Sequence, residues 1–378
     1  MGVSDADQLD LDANLIDLGI DSLMGVEIRQ VLERNYNIVL SMKDIREMTL
    51  RQLKETAEAG GTKKLGKRSM TVEEVQRQAV KLFSIRLSPS DFDDRMRDEL
   101  VPLNNIKEGQ PVFFIHAIEG LANVFATLAP LITVPAYGIQ WTPNTPSDSM
   151  VHVAEHYVKL LRDRHPQAKC VNGYRIIGYS YGATIAFQMA VVLQDLGELA
   201  SLCLIDGSHH YMQVYRNLYR DAYGHSEKSA ISGDPQFETD LIAGLGIRLS
   251  MDYFKLQADL SSLSTWEEKT ALLINNVKAN KLLVDDNQLE LASWFAGAVR
   301  DRFVCADQYQ LQKKLVKEVV LIRALRQSKL EEHGADYGLH EVVDGPIIVH
   351  EIDGDHDSLV NGDNVKETAK LLNKILRN

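Results

Sequence analysis

Cysteine is scarce in this chain of 378 residues: there are three, Cys170, Cys203 and Cys305. An odd number set far apart excludes a disulfide framework and gives no zinc-ligand spacing. Reduced thiols and a cytoplasmic location are the expectation. Long apolar runs are also lacking, none approaching the roughly 18–20 residues needed to span a bilayer. The N-terminus, "MGVSDADQLDLDANL", is acidic and has no apolar core, so it does not read as a secretory signal. It starts like a myristoylation site, but Ala6 stands where that motif needs Ser or Thr. Basic residues are outnumbered, 41 Lys and Arg against 53 Asp and Glu, for a net charge of -12. That balance argues against nucleic acid as a partner.

What is present is an ordinary globular composition, 45% hydrophobic and 25% charged. The length suggests more than one domain. Residues 1–57 read as a small helical unit. Helical spacing runs through "DSLMGVEIRQVLERNY" and "TLRQLKETAE", with the shorter "SMKDIREM" between them. Residues 58–105 read as a linker, beginning with the glycine- and lysine-bearing "AGGTKKLGKRSM" and including one possible helix, "TVEEVQRQAVKLF".

From residue 106 the pattern changes. "PVFFIHAIEG", "AYGIQ", "YRIIGYS", "ASLCLID", "KEVVLIRAL" and "GPIIVHEID" are short apolar runs bounded by turn residues. Helical stretches lie between several of them, and a wholly helical stretch occupies about 208–312. Strand–helix alternation implies a parallel sheet covered on both faces, here interrupted by a helical insertion.

Gly178-Tyr179-Ser180-Tyr181-Gly182 is G-x-S-x-G between a strand and a helix. In that context the serine sits on a sharp turn with its hydroxyl raised above the sheet, and the next N–H, from Tyr181, faces a developing oxyanion. A serine nucleophile needs a base, and the base needs an orienting carboxylate. The chain order for this motif is Ser, acid, His, with each partner on a loop after a later strand. Asp206 ends "ASLCLID" and His356 follows "GPIIVHEI". His209 and His210 come too early in that order, and His116 is placed to shape the loop after the first strand. That loop, "HAIEG", should give the second oxyanion donor: Ile118, with Glu119 and Gly120 as alternatives. Phe254, Leu256, Leu272, Leu273 and Trp294 of the insertion either line an apolar channel or form ordinary core.

"GQPVFFIHAIEG", "YGIQWT", "GYSYGATIAFQMA", "LIDGS", "GADYGL" and "EIDGDH" together resemble the thioesterase domain of animal type I fatty acid synthase. The resemblance implies an α/β-hydrolase core with a helical lid insertion and a serine hydrolase that cuts acyl thioesters. Ser180, Asp206 and His356 fall on its triad positions. "LDANLIDLGIDSLMGVEIRQVLERNYNIVLSMKDIREMTLRQL" is similar to the acyl carrier domain of the same synthase. By that likeness Ser22 carries a covalent 4′-phosphopantetheine, added by a phosphopantetheinyl transferase. The partners implied are an acyl chain held as thioester and the other domains of a synthase. No metal is implied. Carrier domains of this family begin with a helix well upstream of the D-S-L serine. The expectation is therefore a helical bundle lacking its first helix and loosely folded when the chain is alone. The activity implied is release of a free long-chain fatty acid. Two other readings remain: release of a polyketide acid, and a carrier and interaction module with an inactive hydrolase fold.

Overall fold

A computed structural model describes residues 49, 51, 92–166, 173–214, 234–249, 251, 253–283, 285–326, 330 and 333–377, without the side chains of residues 247, 248, 253 and 254. The chain divides into two units, Met1–Thr71 and Val72–Asn378. Ser22 and the rest of the carrier region read at 1–57, apart from residues 49 and 51, lie outside the described residues.

The second unit is built on a seven-stranded sheet. Its strands are β1 (Leu100–Pro102), β2 (Val112–Ile115), β3 (Ala136–Ile139), β4 (Tyr174–Tyr179), β5 (Ala200–Ile205), β6 (Val319–Ala324) and β7 (Ile347–Ile352). The spatial order is β1-β3-β2-β4-β5-β6-β7. β1 runs antiparallel on β3, and the other pairings are parallel. β2 shows why the apolar runs are continuous: every residue of Val112-Phe113-Phe114-Ile115 is buried. Alternate side chains serve opposite faces. Phe113 and Ile115 enter one core layer, and Val112 and Phe114 the other.

The helices follow the same logic. α1 (Met150–Arg164) starts where the Ser149 side chain accepts the His152 N–H. α2 (Tyr181–Asp195) is buried along almost its whole length, as befits a helix crossing the sheet centre. After β5 the described chain is helical: α3 (Pro235–Arg248), α4 (Tyr253–Ser261), α5 (Trp266–Ala279) and α6 (Asp286–Gln308). α5 opens with a reciprocal capping box between Thr265 and Glu268. These helices bury their apolar sides in the layer that also holds α1 and α2. Leu256 and Leu273 are part of that core, and Leu272 and Trp294 pack against it. The Phe254 side chain is outside the described set. α7 (Ser358–Asn361) and α8 (Val365–Ile375) close the chain on the opposite face.

One boundary differs from the sequence reading. Residues 92–104 do not belong to a linker. Phe92 and Met96 are buried in the core, and β1 pairs with β3. The Gln140 side chain donates to the Arg95 and Asp98 carbonyls, each at 2.9 Å. A strand of three residues is too short to show a pattern in the sequence, and Pro102 is tolerated there because β1 lies at the sheet edge.

The architecture is the α/β-hydrolase fold with a helical insertion between β5 and β6. Among the described residues no helix is long and apolar enough to cross a membrane, and no cluster of His, Cys, Asp or Glu is arranged to hold a metal.

Candidate active site

Ser180 is the residue between β4 and α2, at φ 58° and ψ -126°. A serine in this backbone region is strained, and the surroundings hold it there. Its N–H donates to the Ile205 carbonyl at 3.2 Å, and its carbonyl accepts from Ala183 at 3.0 Å. Both flanking glycines are required by space. A Cβ at Gly178 would come within 2.5 Å of the Gly182 carbonyl oxygen, and one at Gly182 within 2.4 Å of the His116 carbonyl oxygen. The turn therefore has no room for any other residue at either position.

Asp206 follows β5 and also has positive φ, 41°. Its carboxylate is buried and fully used. Oδ2 accepts from His356 Nδ1 at 2.6 Å. Oδ1 accepts the Ala324 N–H at 3.0 Å and the Tyr337 hydroxyl at 2.7 Å. Burial pushes this carboxyl up, but the His356 bond and charge, Tyr337 and Ala324 together outweigh it and hold it below the usual range. It stays an anion facing His356.

His356 lies beyond β7, and Tyr179 donates its hydroxyl to the His356 carbonyl at 3.1 Å. The imidazole stacks on the Tyr179 ring, with centroids 4.7 Å apart. With Nδ1–H given to Asp206, Nε2 is the acceptor, which is the tautomer a general base needs. Nε2 faces the Tyr211 hydroxyl at 3.1 Å. Among the described residues Ser180 makes no side-chain hydrogen bond to His356.

The oxyanion candidates lie at the elbow and on the turn after β2. The Tyr181 N–H opens α2, where first-turn donors have no intrahelical partner. Ile118 lies in the turn closed by the Gly120 N–H on the Ala117 carbonyl at 3.0 Å. β2 is the neighbour of β4, with Ile115 opposite Gly178, so this turn sits beside the elbow. His116 is fully buried. Its Nδ1 donates to the Ala117 carbonyl at 2.7 Å and its Nε2 accepts from Tyr157 at 2.8 Å. Burial, with the Arg302 charge behind it, pushes its pKa down to about 3, so the ring is neutral and structural.

The structure thus brings Ser180 and Tyr181, Asp206 and His356 to the carboxyl ends of β4, β5 and β7, with Ile118 in the turn after β2, the neighbour of β4. Three residues that sequence reading did not assign join them: Tyr337, Tyr211 and Arg302. Only Tyr337 carried a signal, since it lies in "GADYGL".

Residues 110–376 match the thioesterase domain family, and residues 1–58 the phosphopantetheine attachment site family. The chain belongs to the thioesterase domain family. This thioesterase is 32% identical over 116 residues to the polyketide synthase PksR of Bacillus subtilis (strain 168), covering 29% of the chain and 4% of that protein. It is 25% identical over 196 residues to a dimodular nonribosomal peptide synthase of the same organism, covering 49% of the chain and 8% of that protein. The thioesterase therefore spans a small fraction of the curated relatives it matches. Its fold is shared with a four-domain nonribosomal peptide synthetase bound to AMP and glycine, at TM-score 0.55 and 18% identity over 97% of this chain and 24% of that one. The attachment domain implies a covalent 4′-phosphopantetheine. The thioesterase region is thus preceded in this chain by a phosphopantetheine attachment region.

Proposed function

We propose that this chain releases an acyl group from the phosphopantetheine arm of a carrier domain as a free acid, with Ser180 as nucleophile, His356 as base and Asp206 as its orienting carboxylate. The observation that carries the reading is the 2.6 Å bond from His356 Nδ1 to an anionic, threefold-bonded Asp206, beside a serine on a strained strand-to-helix turn. His356 Nε2 takes the Ser180 proton as the hydroxyl attacks the thioester carbonyl. The Tyr181 and Ile118 N–H groups receive the oxyanion. The arm's thiol leaves with the proton from His356. Water, deprotonated by the same imidazole, then hydrolyses the acyl-enzyme.

Ser22 stands where the arm is attached in the D-S-L motif. Tethering raises the effective concentration of the thioester at Ser180. We assign a long-chain fatty acid as the released product, on the likeness of "GYSYGATIAFQMA" and "EIDGDH" to animal fatty acid synthase. A polyketide acid is the second reading, favoured by the polyketide synthase among the relatives.

The test is hydrolysis of acyl-CoA thioesters from short to long chains by this protein and by Ser180→Ala. A maximum at long saturated chains, lost by several orders of magnitude in the variant, supports fatty acid release. Ser180-dependent turnover confined to branched or hydroxylated acyl chains supports the polyketide reading. No Ser180-dependent turnover overturns both.

A further inference from the structure

Four consecutive carbonyls, from Ala117 to Gly120, are all held by hydrogen bonds. The Ala117 oxygen accepts His116 Nδ1–H at 2.7 Å and the Gly120 N–H at 3.0 Å. The Ile118 oxygen accepts Arg302 Nε–H at 2.7 Å, and the Glu119 oxygen accepts Arg302 Nη2–H at 3.0 Å. The Gly120 oxygen accepts the Trp141 N–H at 2.8 Å. A trans peptide is planar, so its carbonyl and its N–H point in opposite directions. Pinning the Ala117 carbonyl therefore aims the Ile118 N–H away from His116. Pinning the next two carbonyls stops the turn from rotating that plane back. The turn's own hydrogen bond uses neither central N–H.

Arg302 comes from α6, in the helical insertion. It is fully buried, a rare state for a guanidinium. Trp141 and Phe295 cover its faces at 5.3 and 5.6 Å. Burial lowers its pKa only to about 10, so it remains a cation at neutral pH. A charge kept in the interior at this desolvation cost needs a reason in what it binds. Its Nε and Nη2 donate to the carbonyls of this turn.

We propose that Arg302 is the positioning residue of the oxyanion hole: it reaches from the lid to clamp the Ala117–Gly120 turn by the Ile118 and Glu119 carbonyls and so fixes the Ile118 N–H. This rests on the reading of Ile118 as an oxyanion donor. Lid and oxyanion hole are then one mechanical unit. A shift of α6 moves the donor that stabilises the transition state.

Arg302→Lys keeps the charge but loses the two-pronged fork. Gly120→Ala attacks the same contact from the other side, because its Cβ would lie 2.6 Å from Arg302 Nη1. Both are assayed on the full chain with p-nitrophenyl butyrate and with its thionoester, each normalised to its hydroxide-catalysed rate. Sulfur in place of the carbonyl oxygen accepts hydrogen bonds poorly, so the thionoester reports what the oxyanion donors contribute. Wild type should prefer the oxygen ester by about 100-fold or more. Each variant should lose about tenfold in kcat on the oxygen ester, with KM within about twofold and the thionoester rate unchanged, so that the preference shrinks by the same factor. Rates that fall equally on both substrates, or a lowered melting temperature with the preference intact, overturn the role of Arg302. A wild type without preference overturns the oxyanion reading itself. If Arg302→Lys does not fold, as judged by circular dichroism, Gly120→Ala decides.

Discussion

The Tyr211 hydroxyl lies 3.1 Å from His356 Nε2, the imidazole nitrogen opposite the one bound to Asp206. Tyr211 is buried on the first helical turn after the Asp206 loop, and its ring lies nearly parallel to the imidazole, at 16°. The tyrosine therefore fills the hydrogen-bonding position that Ser180 would use as the proposed nucleophile. A neutral hydrogen bond is worth about 0.5–1.5 kcal/mol net, enough to alter a rate by up to about tenfold. Tyr211→Phe should free Nε2 and speed labelling of Ser180 by a fluorophosphonate by a few-fold. Slower labelling would mean that the hydroxyl assists the base instead of occupying it.

Asp206→Asn should leave the fold intact and lower kcat by about 10⁴, the loss expected when the acid that sets the imidazole tautomer becomes an amide. The fold is checked by circular dichroism, and kcat by steady-state hydrolysis of an acyl-CoA. A loss below about tenfold would remove Asp206 from the triad.

Tyr337→Phe removes one of the three donors to the Asp206 carboxylate. A bond to a charged group contributes about 1.5–3 kcal/mol, so denaturant unfolding at pH 7 should register a loss of that size. The folded carboxyl lies below its unfolded value. Its stabilising effect is thus present above about pH 4 and lost as pH falls through the lowered folded value. The variant should therefore begin to lose activity at a higher pH than wild type on the acid side.

Two buried imidazoles, His116 and His209, and the half-buried His210 predict a second pH dependence. Burial pushes His116 and His209 down to about 3 and His210 to about 4, with neighbouring charges adding to the effect. Between these values and 6.5 the unfolded chain binds protons that the folded chain refuses. Stability should fall as pH drops from about 6.5 toward 4, by up to about 1.4 kcal/mol per pH unit for each such histidine. Urea unfolding at pH 7 and pH 5 checks this. His209→Gln should flatten the slope.

Gly182→Ala places a Cβ 2.4 Å from one backbone oxygen and 2.5 Å from another, neither of which can rotate away. Overpacking of this kind costs about 1–3 kcal/mol or more. The melting temperature should fall by several degrees together with activity. An unchanged melting temperature would show that the end of β2 yields.

The sheet and the elbow were legible because local chemistry forces them. The apolar runs are short and bounded by turn residues, which marks them as buried strands, and Gly178 and Gly182 have no alternative at that turn. Asp206 and His356 followed from strand order alone. The contacts of Tyr337, Tyr211 and Arg302 were not legible, because their partners lie 131, 145 and 184 residues away. An arginine in an amphipathic helix reads as a solvated face until the fold buries it. β1 escaped for the opposite reason: it is too short to have a pattern, and its strand character comes entirely from pairing with β3.

β5 pairs with β6 across the whole helical insertion, and His356 lies 150 residues beyond its partner Asp206. At about 5–20 residues per second, the ribosome delivers the base some 8–30 s after the acid. Throughout that interval Ser180 can already occupy its elbow, because β2, β4, α2 and β5 all precede His356 in the chain, yet the proposed base has not been made. With the proposed triad, the nascent hydrolase is chemically silent until β7 docks at the sheet edge, so the moment of arming is set by translation and by one strand pairing.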